Sequence, residues 1–183
     1  REIAKNRGAR VILDNKKGKG DAIRCSIKEA RGEVIVFIDA DGSHDPNDIP
    51  KLIEPILKGE ADLVIGSRGK GGSDELHGDF SKFLRMMASD IITLGINYRF
   101  KMQLTDSQNG FRAVRASVIR RLNLREDITT IEQEMTIKAL KAGFKVVDVP
   151  AHEYSRKYGQ SVIKLRQVGF LYFYSWFKYL FFN

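Results

Sequence analysis

One cysteine is all this chain has, so Cys25 has no internal disulfide partner, and a lone thiol fits a reducing compartment. Nor is there any zinc-ligand spacing or aromatic-basic RNA signature, and nucleic acid is not an expected partner. No internal repeat and no low-complexity linker interrupts the sequence, which leaves one domain as the expectation. Residues 1–5 carry no signal-peptide pattern. The most apolar stretch, residues 168–183, contains Lys178 and falls short of the roughly 20 residues that span a bilayer. Acidic residues are in deficit, 23 against 31 Lys and Arg. The net charge of +8 favours anionic partners, phosphates or anionic lipid before nucleic acid.

What is present begins with an apolar run. Residues 34–38 read Val-Ile-Val-Phe-Ile, the pattern of a strand buried on both faces of a parallel sheet. Asp39-Ala40-Asp41 follows at once. Ligands of open α/β sheets bind beyond the carboxyl ends of strands, and alternate residues point the same way. Two hard oxygen ligands there suit Mg²⁺ or Mn²⁺. The 13 Asp of the chain would produce about one such triplet by chance, so its place after the apolar run carries the weight.

Around this core the sequence alternates strand and helix signals, an α/β pattern. Residues 1–5 read as the end of a helix stopped by Gly8, and Arg10 to Asp14 as a short strand. Gly18-Lys19-Gly20 opens a helix with Ala22, Ile23, Ile27 and Ala30 on one face; its basic, glycine-bearing start would offer free N–H groups to phosphate. Asp45-Pro46 starts another, which Pro55 should kink or shorten. Asp62 to Ser67 is a strand, residues 68–80 a mobile loop, and Ser81 to about Ile96 a long apolar helix. Leu104 to Val114 is expected to be irregular, Glu132 to Ala142 helical and Phe144 to Pro150 extended. Residues 168–183 hold nine of the 18 aromatics, with Phe170, Phe173, Phe177 and Phe181 on one helical face. With Lys164, Arg166 and Lys178 they suggest an interfacial helix, its first half packed on the domain and its second half in the membrane interface.

Several strings taken together resemble family 2 glycosyltransferases of GT-A fold, in particular dolichyl- and polyprenyl-phosphate sugar synthases. They are Gly18-Lys19-Gly20-Asp21-Ala22, Asp39 to Pro46, Gly66-Ser67-Arg68, Asp106 to Ala113, Glu132-Gln133-Glu134-Met135 and His152 to Leu165, in family order from about residue 8 to 168. The resemblance implies a mostly parallel α/β sheet flanked by helices, with a catalytic domain at 1–165 and an aromatic-basic helix at 166–183. It also implies that a first strand and nucleotide-holding turn, absent from this sequence, would precede residue 1.

The implied activity is inverting transfer of a hexose from a nucleotide sugar, GDP-mannose or a UDP-sugar, to dolichyl or polyprenyl phosphate. It would occur at the cytoplasmic face of a membrane. The implied site has Asp39 and Asp41 on a divalent metal with Ser43 adding or orienting a ligand, and Lys19 and Gly20 on the donor. Arg68, Arg156 and Lys164 would hold the acceptor phosphate, with the donor diphosphate as the alternative for Arg68. Asp106 and Glu134 would shape the sugar and acceptor side. His152 is either structural or a late metal ligand. Two other readings stay open: transfer to a glycan or glycolipid hydroxyl, with Asp106 or Glu134 as general base, and a non-catalytic membrane-docking module of the same fold. Oligomeric state is not legible.

Overall fold

The computed structural model describes residues 1–74, 80–158 and 165–182. In chain order the elements are α1 (Glu2–Asn6), α2 (Lys19–Glu29), β1 (Val34–Phe37), a 3₁₀ turn (Pro46–Asp48), α3 (Ile49–Leu57), β2 (Leu63–Ser67), α4 (Arg68–Gly71), α5 (Phe80–Phe100), β3 (Arg112–Arg115), α6 (Ala116–Arg121), α7 (Ile131–Lys141), β4 (Val146–Pro150) and α8 (Leu165–Phe181).

The sheet order is β1-β3-β2-β4. β2 and β4 pair in parallel, and β3 lies antiparallel between β1 and β2. Three strands therefore run one way and β3 runs the other. This direction rule decides where the chemistry sits. The carboxyl ends of β1, β2 and β4 and the entrance to β3 share one edge. The segments at that edge are residues 38–45, 68–74, 151–158 and 106–111.

Alternation along the strands divides the core between the two faces of the sheet. Ile65 and Val114 face α2, α6 and α7 in a cluster with Ile23, Ile27, Ile119, Ile131 and Met135. Val64 and Ala113 face the other way, with Leu52 and Ile56 of α3 and with Phe111. Fully burying each Leu or Ile contributes roughly 1.5–3 kcal/mol. A third cluster joins Ile92 and Ile96 of α5 to Ile137 of α7 and to Tyr179 and Leu180 of α8.

Several expectations need correction. β1 has apolar contacts on both faces, but all four residues are only half-buried, since it lies at one edge of the sheet among the described residues. Arg10 to Asp14 forms no strand; Ile12 and Leu13 are exposed there, and no neighbouring strand pairs with them. Residues 68–71 of the expected loop are helical, with Ser67 as the cap accepting from Lys70 N, and residues 75–79 of it lie outside the described residues. β3 and α6 escape the sequence pattern because Arg112-Ala-Val-Arg115 has just two apolar residues between charges. α3 runs through Pro55 and ends two residues later.

From Gly169 on, α8 is divided by face and not into two halves. Tyr179, Leu180 and Ser175 are buried, and Tyr172 and Trp176 pack on the third cluster. Phe170, Tyr174, Phe177 and Phe181 are exposed. α5 carries a parallel stripe of exposed Phe83, Met87, Ile91, Leu94 and Tyr98. None of the described helices is long and apolar enough to cross a membrane.

Candidate active site

The acid loop is held down by its own serine. Ser43 N and Oγ donate to Asp41 Oδ1 at 3.0 and 2.7 Å. Burial alone would raise the Asp41 pKa, but these bonds outweigh it and keep the carboxyl below its usual range. Ser43 therefore orients Asp41. The segment after β4 then docks on this loop: Lys157 N and Tyr158 N donate to Asp41 O, and Tyr154 N donates to Ser43 O. Gly42 stands at φ 79°, where a side chain would be strained and would press on Lys157. Arg156 Nε lies 3.4 Å from Asp41 Oδ2, so the structure brings Arg156 to the acid pair.

Asp39 belongs to a second cluster. Lys19 Nζ is 2.9 Å from Asp39 and 2.9 Å from Glu132 Oε1. Burial disfavours the Lys19 charge, but Glu132 and Asp39 outweigh it and raise its pKa. A Cβ on Gly110 would stand 2.7 Å from Lys19 Nζ and 3.3 Å from Asp39, so a larger residue there would displace the end of Lys19. Beneath it Arg112 is fully buried and donates to the carbonyls of Asn109 and Glu132.

Gly20 packs against the backbone of the 126–127 loop. It is buried, and a Cβ there would meet Glu126 O at 2.3 Å. Asp21 N donates to Asp127 O, so the loop at 126–127 covers the start of α2 that was expected to offer free N–H groups. The glycines of this turn serve close backbone packing, and Lys19 alone reaches the site.

The third group is Arg68 with Asp106. Arg68 Nε and Nη2 donate to the two Asp106 oxygens at 2.6 and 3.1 Å, a fork geometry. Asp106 also accepts from Gln108 N and Asn109 N. Burial opposes both charges, but each partner outweighs it: Asp106 is held below the usual carboxylate range and Arg68 is raised. Asp106 thus fixes Arg68 at the wall of a cavity of about 250 Å³, lined also by Lys82, Arg85, Ser89, Gln108, Tyr172 and Phe173. Sequence reasoning missed Lys82 and Arg85; the signal was two cations inside the apolar run 83–87 and just before it.

Glu134 is elsewhere. Its fully buried carboxylate accepts from Arg125 N and Glu126 N and pairs with Lys138 Nζ at 2.7 Å. It anchors the 125–126 loop, and Glu132 takes the place at the site expected for Glu134. Both ring nitrogens of His152 are engaged, meeting Gly71 O at 2.9 Å and Asp74 at 3.0 Å. Lys164 lies outside the described residues.

Among the described residues, no group of three or more His, Cys, Asp or Glu is arranged to hold a metal ion. Mg²⁺ and Mn²⁺ do not need one, since one or two carboxylates with substrate phosphates and water suffice. Asp39 and Asp41, one ionised by its hydrogen bonds and the other salt-bridged, fit that donor set.

Glucosyl-3-phosphoglycerate synthase from Mycobacterium tuberculosis, crystallised with Mn²⁺, UDP and phosphoglyceric acid, superposes with a TM-score of 0.71. Identity is 18%, over 100% of this chain and 64% of that one. The fold is that of GT-A glycosyltransferases. Residues 1–126 match the model of glycosyl transferase family 2, and the chain belongs to that family. A dolichol-phosphate mannosyltransferase of Pyrococcus furiosus is 35% identical over 166 residues, 89% of this chain and 46% of that protein. An undecaprenyl-phosphate mannosyltransferase of Micrococcus luteus is 34% identical, over 75% of this chain and 56% of that protein. The chain thus spans about half the length of these two relatives.

Proposed function

We propose that this chain forms the catalytic domain of an inverting glycosyltransferase that moves a hexose from a nucleotide sugar to a polyprenyl or dolichyl phosphate. The observation that carries this reading is the cavity walled by Arg68, Lys82 and Arg85, with Arg68 at the sheet edge that also carries the Asp39/Asp41 loop. Its three cations share the lining with Asp90, Asp106 and Glu153, and Met86, Ile92 and Phe173 add apolar surface. That combination suits a phosphate attached to a lipid. Two relatives whose names specify polyprenyl-phosphate acceptors support it.

Asp39 and Asp41 would hold a divalent metal, Mg²⁺ or Mn²⁺, whose charge offsets that of the leaving nucleotide diphosphate. Lys19 keeps Asp39 aligned beside Glu132. Arg68, fixed by Asp106, receives the acceptor phosphate. A phosphate monoester is mostly dianionic at pH 7, so it attacks the anomeric carbon without a protein base. The engagement of both Asp106 oxygens and of Glu134 supports such an acceptor over a sugar hydroxyl, which requires a general base. The exposed faces of α5 and α8 would rest on the membrane surface at its cytoplasmic side.

The test uses the full-length protein with GDP-mannose or UDP-glucose and a short polyprenyl phosphate. Asp41→Asn is expected to abolish transfer with little change in melting temperature. Full turnover by Asp41→Asn, or in excess chelator, would remove the metal assignment.

A further inference from the structure

We propose that His44 positions the transferred hexose, through a hydrogen bond from its Nε2 to a sugar hydroxyl. The inference rests on the reading above and names a residue it has not used.

His44 is buried, with 6% of its surface accessible, and its ring stacks on Phe111 with centroids 4.9 Å apart and planes 21° apart. The stack fixes the ring plane. Nδ1 is sealed and has no hydrogen-bond partner among the described residues. A buried N–H without an acceptor costs more than a bare lone pair, so the proton belongs on Nε2. His44 also lines the cleft formed by Asp39, Gly42, Tyr154 and Tyr158. With Nδ1 sealed, the ring meets that cleft by its Nε2 edge.

The position in the charge pattern decides what it would touch. The charges acting on His44 include Asp39 and Asp41, on the loop proposed for the donor diphosphate and metal. They also include Arg68 and Glu153, which wall the acceptor cavity. Between a diphosphate and an acceptor phosphate, the part of the substrates that carries no charge is the hexose. A neutral imidazole edge matches neutral hydroxyls, whereas phosphates have Arg68 and Lys19 within reach of their own sites. A site built to hydrogen-bond a hydroxyl discriminates strongly against ligands that lack it.

The experiment compares binding of a nucleotide sugar with binding of its nucleoside diphosphate by calorimetry, with Mn²⁺, in the full-length protein. The probes are GDP-mannose with GDP and UDP-glucose with UDP. His44→Phe keeps the stack on Phe111 and deletes the N–H. It is expected to bind the nucleotide sugar roughly three- to tenfold more weakly and the nucleoside diphosphate as wild type does. His44→Gln returns an N–H and is expected to recover most of the loss. Equal weakening of both ligands, or wild-type sugar binding by His44→Phe, would overturn the proposal. The wild-type protein supplies an independent arm should His44→Phe fold poorly. One monodeoxy form of the hexose should then lose the same factor, and undiminished binding of every monodeoxy form would overturn the proposal. Wild-type protein that binds neither nucleotide sugar would overturn the functional reading itself, and this proposal with it.

Discussion

Glu132 and Glu134 stand two positions apart on α7, which is about 200° around a helix of 3.6 residues per turn. One acid therefore reaches Lys19 and Asp39 while the other turns to the 125–126 amides. Their substitutions should separate accordingly. Glu134→Gln leaves Lys138 and two amides short of a buried charge and is expected to cost about 2–4 kcal/mol, read from denaturant unfolding. Glu132→Gln should cost less stability and more turnover. A Glu134→Gln protein as stable as wild type would show that the loop does not depend on it. His152 makes a pH prediction. Its bonds to Gly71 O and Asp74 raise its folded pKa above the usual 6.5. The stability it contributes is complete below the unfolded pKa and is lost as pH rises through the folded one. The melting temperature should thus fall slightly from pH 6 upward, by a small amount because the pair is exposed. Asp74→Asn should flatten that slope; an unchanged slope would assign it to another group.

At the scale of elements, the contact between α5 and α8 turns on a glycine. Gly95 lies within α5, where alanine would ordinarily stabilise the helix by roughly 0.5–1 kcal/mol. Here a Cβ would stand 2.2 Å from the Trp176 ring. Gly95→Ala is therefore expected to destabilise the protein, since the indole must leave its place. Trp176 is the chain's one tryptophan, so intrinsic fluorescence reads the change directly. A raised melting temperature with unchanged emission would mean that α8 does not pack on α5 as described. The sequence pattern was enough for α2, α3, α5, α7, β2 and β4, because each has a period or an apolar run longer than its charged interruptions. It was not enough for β3, whose two arginines gain meaning from what they meet: Arg112 fills the space beneath Glu132, and Arg115 pairs with Asp62.

For the whole molecule, α5 and α8 each expose a stripe of apolar side chains on a chain of charge +8. Deleting the tail is a poor probe of membrane contact, because Tyr179 and Leu180 belong to the core. Polar substitution of the exposed residues is cleaner. Leu94→Ser, Phe170→Ser and Phe181→Ser together should release the full-length protein from anionic liposomes, because each side chain withdrawn from lipid forfeits roughly 1.5–3 kcal/mol. The melting temperature should hold, since all three are exposed. Co-sedimentation equal to wild type would move the docking surface elsewhere on the molecule.

The sequence by itself determined the α/β class, the acid pair after β1, the Arg after β2 and the aromatic helix. These are local signals, written in consecutive residues. Tertiary structure decided which of the expected residues meet. It set Arg156 on Asp41, gave Asp106 to Arg68, buried Gly20 under Glu126 and chose Glu132 over Glu134. The physical reason is that a side chain's role depends on which way it points and what already occupies its hydrogen bonds. Both are settled when the antiparallel β3 and helix α7 close over the sheet, and neither is written in the spacing of a motif.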